Sequence, residues 1–199
     1  MNPLTSVKGT IISGFVLAII VAWYVSPESS VFQTRNFSIW LHALFGVTWI
    51  GLLYYFNFVQ VPAMADALAD EGGPGPAAIG KYVAPRALLW FRMAAAVTWL
   101  TGVWALSISP QYGFIQTFVF QAPAGPMMSL GAWMGTIMLF NVWVLIWPNQ
   151  KKVLGIVEAS ADEIAKAKFT AAMASRTNVV LSVPMLLCMI GAGHGGYLF

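Results

Sequence analysis

The chain contains two histidines, His42 and His194, and each sits in an apolar stretch. Histidine is the commonest metal ligand and changes charge near neutral pH, and an ionisable side chain inside a bilayer is costly enough to mark a functional position. Two imidazoles brought to similar depth from different helices form an axial ligand set for the iron of a haem b, whose macrocycle supplies the equatorial nitrogens. The competing reading is that both rings hydrogen-bond at the membrane interface. Copper is not excluded by two nitrogens alone, but apart from Glu28 no cysteine or carboxylate lies on the same side to complete its ligand set.

The neighbours of the two histidines suit a flat ligand. Gly46 lies one turn below His42, and Gly191, Gly193, Gly195 and Gly196 surround His194, leaving room where bulky side chains would obstruct a macrocycle. Glycine also permits close helix packing, and Gly131 to Gly135 and Gly191 to Gly195 both fit G-x-x-x-G. His42, His194, Gly46 and Gly191 are therefore the candidate cofactor-binding residues. Other polar groups in apolar surroundings are Asn57, Arg92 and Asn141. The asparagines are expected to link helices by hydrogen bonds, and Arg92 to snorkel toward the cytoplasmic surface, with pairing to a carbonyl or binding of an anionic group as the alternatives. No carboxylate falls well inside an apolar run, which argues against a proton-coupled transporter with an acidic relay. The single cysteine, Cys188, cannot form an intramolecular disulfide.

The elements that must position these residues are membrane helices. Of 199 residues 59% are hydrophobic and 9% charged, and the mean hydropathy is +0.74, whereas soluble domains carry about 25% charged residues. Five runs are long enough to cross a hydrocarbon core that takes about 20 helical residues: Gly9–Ser26, Ser38–Val61, Ala84–Ile108, Met127–Trp147 and Asn178–Leu198. Without the alternation of a barrel, they predict an all-α integral membrane protein: one membrane domain, a bundle of five transmembrane helices. The first run reads as a retained helix rather than a cleaved signal, because no A-x-A-like site follows it.

Charge sets the expected orientation. Lys8, Lys81, Arg86, Lys151, Lys152, Lys166, Lys168 and Arg176 fall on one side of such a bundle and Arg35 on the other, so the positive-inside rule makes the amino terminus cytoplasmic and the carboxyl terminus exported. Both histidines then lie near the exported face. The net charge of +3 reports topology and attraction to anionic lipid, with nothing that resembles a nucleic-acid footprint. Residues 65–80 read as a polar linker, and 151–176 as an amphipathic cytoplasmic helix with a capping box at Ser160 and Glu163 or as a solvated hairpin. The uncharged, aromatic stretch Ser109–Pro126 is expected to anchor at the interface or fold over the bundle.

Several ordered blocks are similar to a known family. Trp40-Leu41-His42-Ala43-Leu44-Phe45-Gly46-Val47-Thr48-Trp49-Ile50-Gly51 with Tyr54 to Gln60, then Pro85 to Arg92, Asn141 to Gln150, Arg176-Thr177-Asn178 and Ser182-Val183-Pro184-Met185, resemble the amino-terminal membrane domain of bacterial membrane-bound urate hydroxylases. The resemblance implies a multi-pass protein of the bacterial inner membrane with a redox role. Full-length members carry a carboxy-terminal cytochrome c domain, whereas these 199 residues, with one cysteine, contain no C-x-x-C-H site. Electrons are therefore expected to pass to a separate acceptor, a cytochrome c or another membrane-complex subunit. The alternative expectation is a non-catalytic subunit of a larger membrane complex or a homo-oligomer, in either case embedded in the lipid bilayer.

Overall fold

The computed structural model describes residues 2–26 and 33–194. Pro27 to Ser30, Gly195, Gly196 and the end of the expected last span lie outside the described residues. Among the described residues there are no strands, and five helices are long and apolar enough to cross a membrane: α1 (Val7–Val25), α2 (Thr34–Ala69), α3 (Ile79–Ser107), α5 (Pro126–Val153) and α6 (Ala161–Gly193). A short helix, α4 (Phe114–Phe118), lies between α3 and α5. The chain divides into two compact units, Met1–Thr34 and Arg35–Phe199. In the first, Ser6 caps α1 by accepting the Gly9 N–H at 3.0 Å, satisfying a donor that has no intrahelical partner.

In the second unit α2, α3, α5 and α6 share one core. Trp49, Ile50, Leu53 and Phe56 from α2 meet Leu88, Phe91, Ala94 and Ala95 from α3, Met138, Val142 and Ile146 from α5, and Ala174 and Met185 from α6. Polar side chains pair across these helices, as expected of Asn57 and Asn141. Asn141 Nδ2 donates to Asn178 Oδ1 at 2.8 Å, Asn178 Nδ2 donates to the Met138 carbonyl at 3.0 Å, and Asn57 Nδ2 donates to Ser175 Oγ at 2.8 Å. Gly131 sets the approach of α5 to α6: a Cβ there would sit 3.2 Å from Cys188 Cβ.

Several helices are longer than the apolar runs, because more polar turns continue them past the membrane-length window. α2 continues to Ala69, so the expected linker from Ala65 is helical for its first turn. The segment 151–176 is corrected more substantially. It is not a separate amphipathic helix: α5 runs on to Val153, and the capping box opens α6, which continues unbroken to Gly193. Ser160 Oγ accepts the Glu163 N–H and Glu163 Oε2 accepts the Ser160 N–H at 2.9 Å, so the cap starts the last long helix itself.

Three wide, π-helical turns interrupt the long helices at Phe56–Gln60, Ile79–Val83 and Asn141–Ile146. Each ends two residues before a proline, namely Pro62, Pro85 and Pro148. Proline lacks an N–H and its ring crowds the carbonyl four residues back. Opening the preceding turn to i→i+5 bonding relieves that crowding without breaking the helix.

Candidate functional site

His42 projects from α2 toward α3, where its Nδ1 lies 2.7 Å from the Thr98 carbonyl oxygen. A carbonyl only accepts, so Nδ1 carries the proton, and in the neutral ring Nε2 keeps its lone pair. Among the described residues Nε2 has no hydrogen-bond partner. Donation of one ring N–H to a carbonyl is the outer-shell arrangement that orients a metal-binding histidine and raises its basicity.

The reason His42 reaches that carbonyl is a glycine. In a helix the side chain one turn on shields a carbonyl, and the residue four after Thr98 is Gly102. A Cβ at Gly102 would fall 2.9 Å from His42 Cε1 and 3.0 Å from Nδ1, so any side chain there displaces the imidazole. Thr101 Oγ1 also donates to the Thr98 carbonyl at 3.0 Å, and Thr98 Oγ1 donates to Ala94 O at 2.7 Å, fixing this stretch of α3.

His42 forms part of the wall of a cavity of about 590 Å³ between α2, α3, α5 and α6, within the range of about 300–1,000 Å³ typical of cofactor and small-ligand sites. Gly46, Gly102 and Gly135 lie along its wall, and Met185 and Met189 contribute from α6. A Cβ at Gly135 would meet nothing within 4 Å, so this glycine leaves open volume, unlike Gly131 one turn away. Trp49, seven residues after His42 on the same face of α2, also lines the cavity. It is 2% exposed, and among the described residues its indole N–H has no partner.

The stretch after α3 folds over this end of the bundle. Gly113, at φ +67°, turns the chain into α4 in a conformation that L side chains rarely adopt. Tyr112 donates its hydroxyl hydrogen to the Ala192 carbonyl at 2.8 Å, and Trp133 Nε1 donates to Phe118 O at 3.0 Å. Phe118 thereby reaches the cavity wall.

The expected site residues are not all brought together. His42 and Gly46 share the cavity wall; His194 and Gly191 are not on it. Gly191 is buried within α6. His194 is exposed at the end of α6, with Nδ1 2.8 Å from the carbonyl of Ile190, and Ile190 itself lines the cavity. By the same donor logic its Nδ1 carries the proton and Nε2 keeps the lone pair. Gly102, Thr98 and Met189 were not among the site residues expected from the sequence, and Trp49 entered only as part of the family-like block. Only Gly102 carried a local signal there, its spacing of four from a helical threonine.

Among the described residues no three His, Cys, Asp or Glu side chains come together to hold a bare metal ion. A porphyrin needs less, since it brings four equatorial nitrogens and asks the protein for one or two axial ligands, an apolar slot and partners for its propionates. The cavity meets the first two demands through His42 and its apolar walls. For the third, Arg35 lies two turns from His42 toward the start of α2, on the same face, and among the described residues its buried Nε has no hydrogen-bond partner.

Among the described residues the chain is all-helical, with five helices of membrane-crossing length, and its second unit carries an apolar cavity beside an oriented histidine: the class is a helical protein with five candidate membrane spans. The family model described as urate oxidase N-terminal matches residues 103–199, just under half of the chain, so the carboxyl-terminal part is similar to that family. The match includes the Asn141 to Gln150 and Ser182 to Met185 blocks and His194, while the His42 block and Pro85 to Arg92 precede it. No curated protein and no solved structure matches the chain.

Proposed function

We propose that this chain is a redox protein of the bacterial inner membrane, related to the urate hydroxylases, which binds one haem b on His42 and passes electrons to a separate acceptor such as a cytochrome c. The observation that carries the reading is the His42 ring: Nδ1–H held on Thr98 O at 2.7 Å, with the Nε2 lone pair left unspent at the wall of an apolar cavity of about 590 Å³. When bound, the haem supplies one-electron chemistry. His42 would hold it through Nε2, with the Thr98 carbonyl setting the tautomer and basicity of the ring. Gly46, Gly102 and Gly135 keep bulk out of the slot, the apolar walls exclude water, and Arg35 suits a propionate as a charge-assisted donor.

A second ligand would come from α6: Met189, which lines the cavity, or His194, if the exposed end of α6 turned its ring toward the cavity; methionine ligation would raise the potential relative to imidazole. A reduced-minus-oxidised spectrum of the purified protein tests the reading. A b-type band that is lost in His42→Ala supports it; absence of any band from haem-replete protein, or a band unchanged in that variant, refutes it.

A further inference from the structure

At the opposite end of the bundle from His42, two cations converge on one indole. The Arg92 guanidinium carbon lies 3.7 Å from the centroid of the Trp147 ring, and Lys151 Nζ lies 6.0 Å from it. Lys151 reaches Trp147 from one turn along α5, whereas Arg92 comes across from α3. Neither has a carboxylate partner: among the described residues the one ion pair is Lys152 Nζ to Glu163 Oε1 at 3.5 Å. Arg92 also makes no hydrogen bond among the described residues, and it is half-buried.

Simple snorkelling does not account for this arrangement. A snorkelling arginine extends its head into water, but here the head is held against an aromatic ring. Contact through the guanidinium face leaves the N–H groups at its edge undonated, and those donors match the oxygens of a phosphate. The wide turn at Asn141–Ile146 ends immediately before Trp147. One extra residue in a turn rotates the remainder of the helix by about 100°, which helps to bring Trp147 and Lys151 round to α3. Trp143 and Val144, a turn further into the apolar part of α5, are exposed at 38% and 50%, as lipid-facing side chains are.

We propose that Arg92, Trp147 and Lys151 form a binding site for the phosphate of an anionic phospholipid, with its acyl chains lying along Trp143 and Val144. Basic pockets between membrane helices on the cytoplasmic side are the common setting for such headgroups. The phosphate accepts from the Arg92 edge and from Lys151, and its charge neutralises the pair of cations that no side chain neutralises.

The test measures thermal stabilisation of the whole protein in neutral detergent on titration with phosphatidylglycerol, phosphatidylcholine or inorganic phosphate, since a ligand that binds only the folded state raises its stability. Native mass spectrometry counts the lipid retained. The expected result is stabilisation by phosphatidylglycerol at concentrations where phosphatidylcholine has no effect. Removing either cation should raise the midpoint about fivefold, the worth of one basic residue at an anionic surface, in both Arg92→Gln and Lys151→Gln. Should Arg92→Gln fail to fold, Arg92→Lys serves instead: it keeps the charge but loses the planar fork, and should give an intermediate midpoint. Equal stabilisation by both lipids, or midpoints unchanged in the folded variants, overturns the site. Stabilisation by inorganic phosphate alone, with the same Arg92 dependence and no retained lipid, overturns the lipid as its source.

Discussion

Replacing Gly102 with alanine tests whether the His42 environment is built for a ligand. The new Cβ would stand 2.9 Å from His42 Cε1 and 3.0 Å from Nδ1, against a favourable separation of about 3.5–4.0 Å for carbon atoms. The imidazole must therefore retreat by roughly 0.5–1 Å, enough to take the 2.7 Å contact with Thr98 O past the usual hydrogen-bond limit of about 3.2 Å. Overpacking costs about 1–3 kcal/mol, and alanine in place of a helical glycine returns about 0.5–1 kcal/mol, so the fold should lose roughly 0–2.5 kcal/mol and remain intact. Loss of the outer-shell partner should weaken metal or haem affinity about 10- to 100-fold. Haem titration into apo-protein, alongside helicity and thermal unfolding, separates the two effects. Gly51→Ala is the control, because Gly51 also lines the cavity but a Cβ there would meet nothing within 4 Å. If Gly102→Ala binds haem as tightly as wild type while Gly51→Ala does too, the carbonyl-bound imidazole is not what prepares the site.

The remaining expectations are independent of one another. Asn178→Leu strands the Asn141 Nδ2 donor in the core and should cost about 1–3 kcal/mol, read as a lower unfolding midpoint in detergent; an unchanged midpoint would show that the pair is not coupled. Gly131→Leu drives a branched side chain into Cys188 and Met189 and should separate α5 from α6, lowering the same midpoint by more than Gly135→Leu does. Cys188, 8% exposed, should react with a maleimide in folded protein far more slowly than after unfolding in SDS, and equal rates would contradict its burial. Met189→Leu and His194→Ala distinguish the two axial sets: a sulfur-to-iron charge-transfer band lost only in Met189→Leu identifies His/Met ligation, and its absence from wild type, with a spectrum altered by His194→Ala, identifies the bis-imidazole set.

The helices were legible in the sequence because each apolar run exceeds membrane length and is bounded by charge or by Pro and Gly. Their true ends were not, for a local reason: Ser160 and Glu163 read equally well as the start of a surface helix, and only the unbroken path to Gly193 shows that a single helix begins there. His42 was legible as one of two histidines. Its partner group was hidden, because the acceptor is the backbone carbonyl of Thr98, and backbone atoms have no side-chain signature. His194 was equally visible, but matching depth on two helices does not fix the rotation of either. The cavity wall from α6 is made by Met185, Leu186, Met189 and Ile190, apolar residues indistinguishable in sequence from lipid-facing ones.

The placement of the wide turns leaves the His42 half of this bundle in regular helical register. All three precede a proline and lie on the Arg92 side of α2, α3 and α5. The His42 side of these helices keeps regular i→i+4 bonding through Ile39 to Tyr54, Val97 to Leu106 and Ser129 to Gly135. Each wide turn rotates one part of its helix against the other by about 100°, so the Arg92 half is free to choose its own packing face. There it uses Asn57, Asn141 and Asn178 to interlock helices, while His42, Gly46 and Trp49 stay in the unbroken register that a single cavity face demands. Deleting one residue from the turn at Asn141–Ile146 should therefore misplace Trp147 and Lys151 while leaving Gly135 and the His42 cavity in place. Haem binding that survives this deletion while phosphatidylglycerol stabilisation is lost would establish that the two halves are set independently; loss of both would refute it.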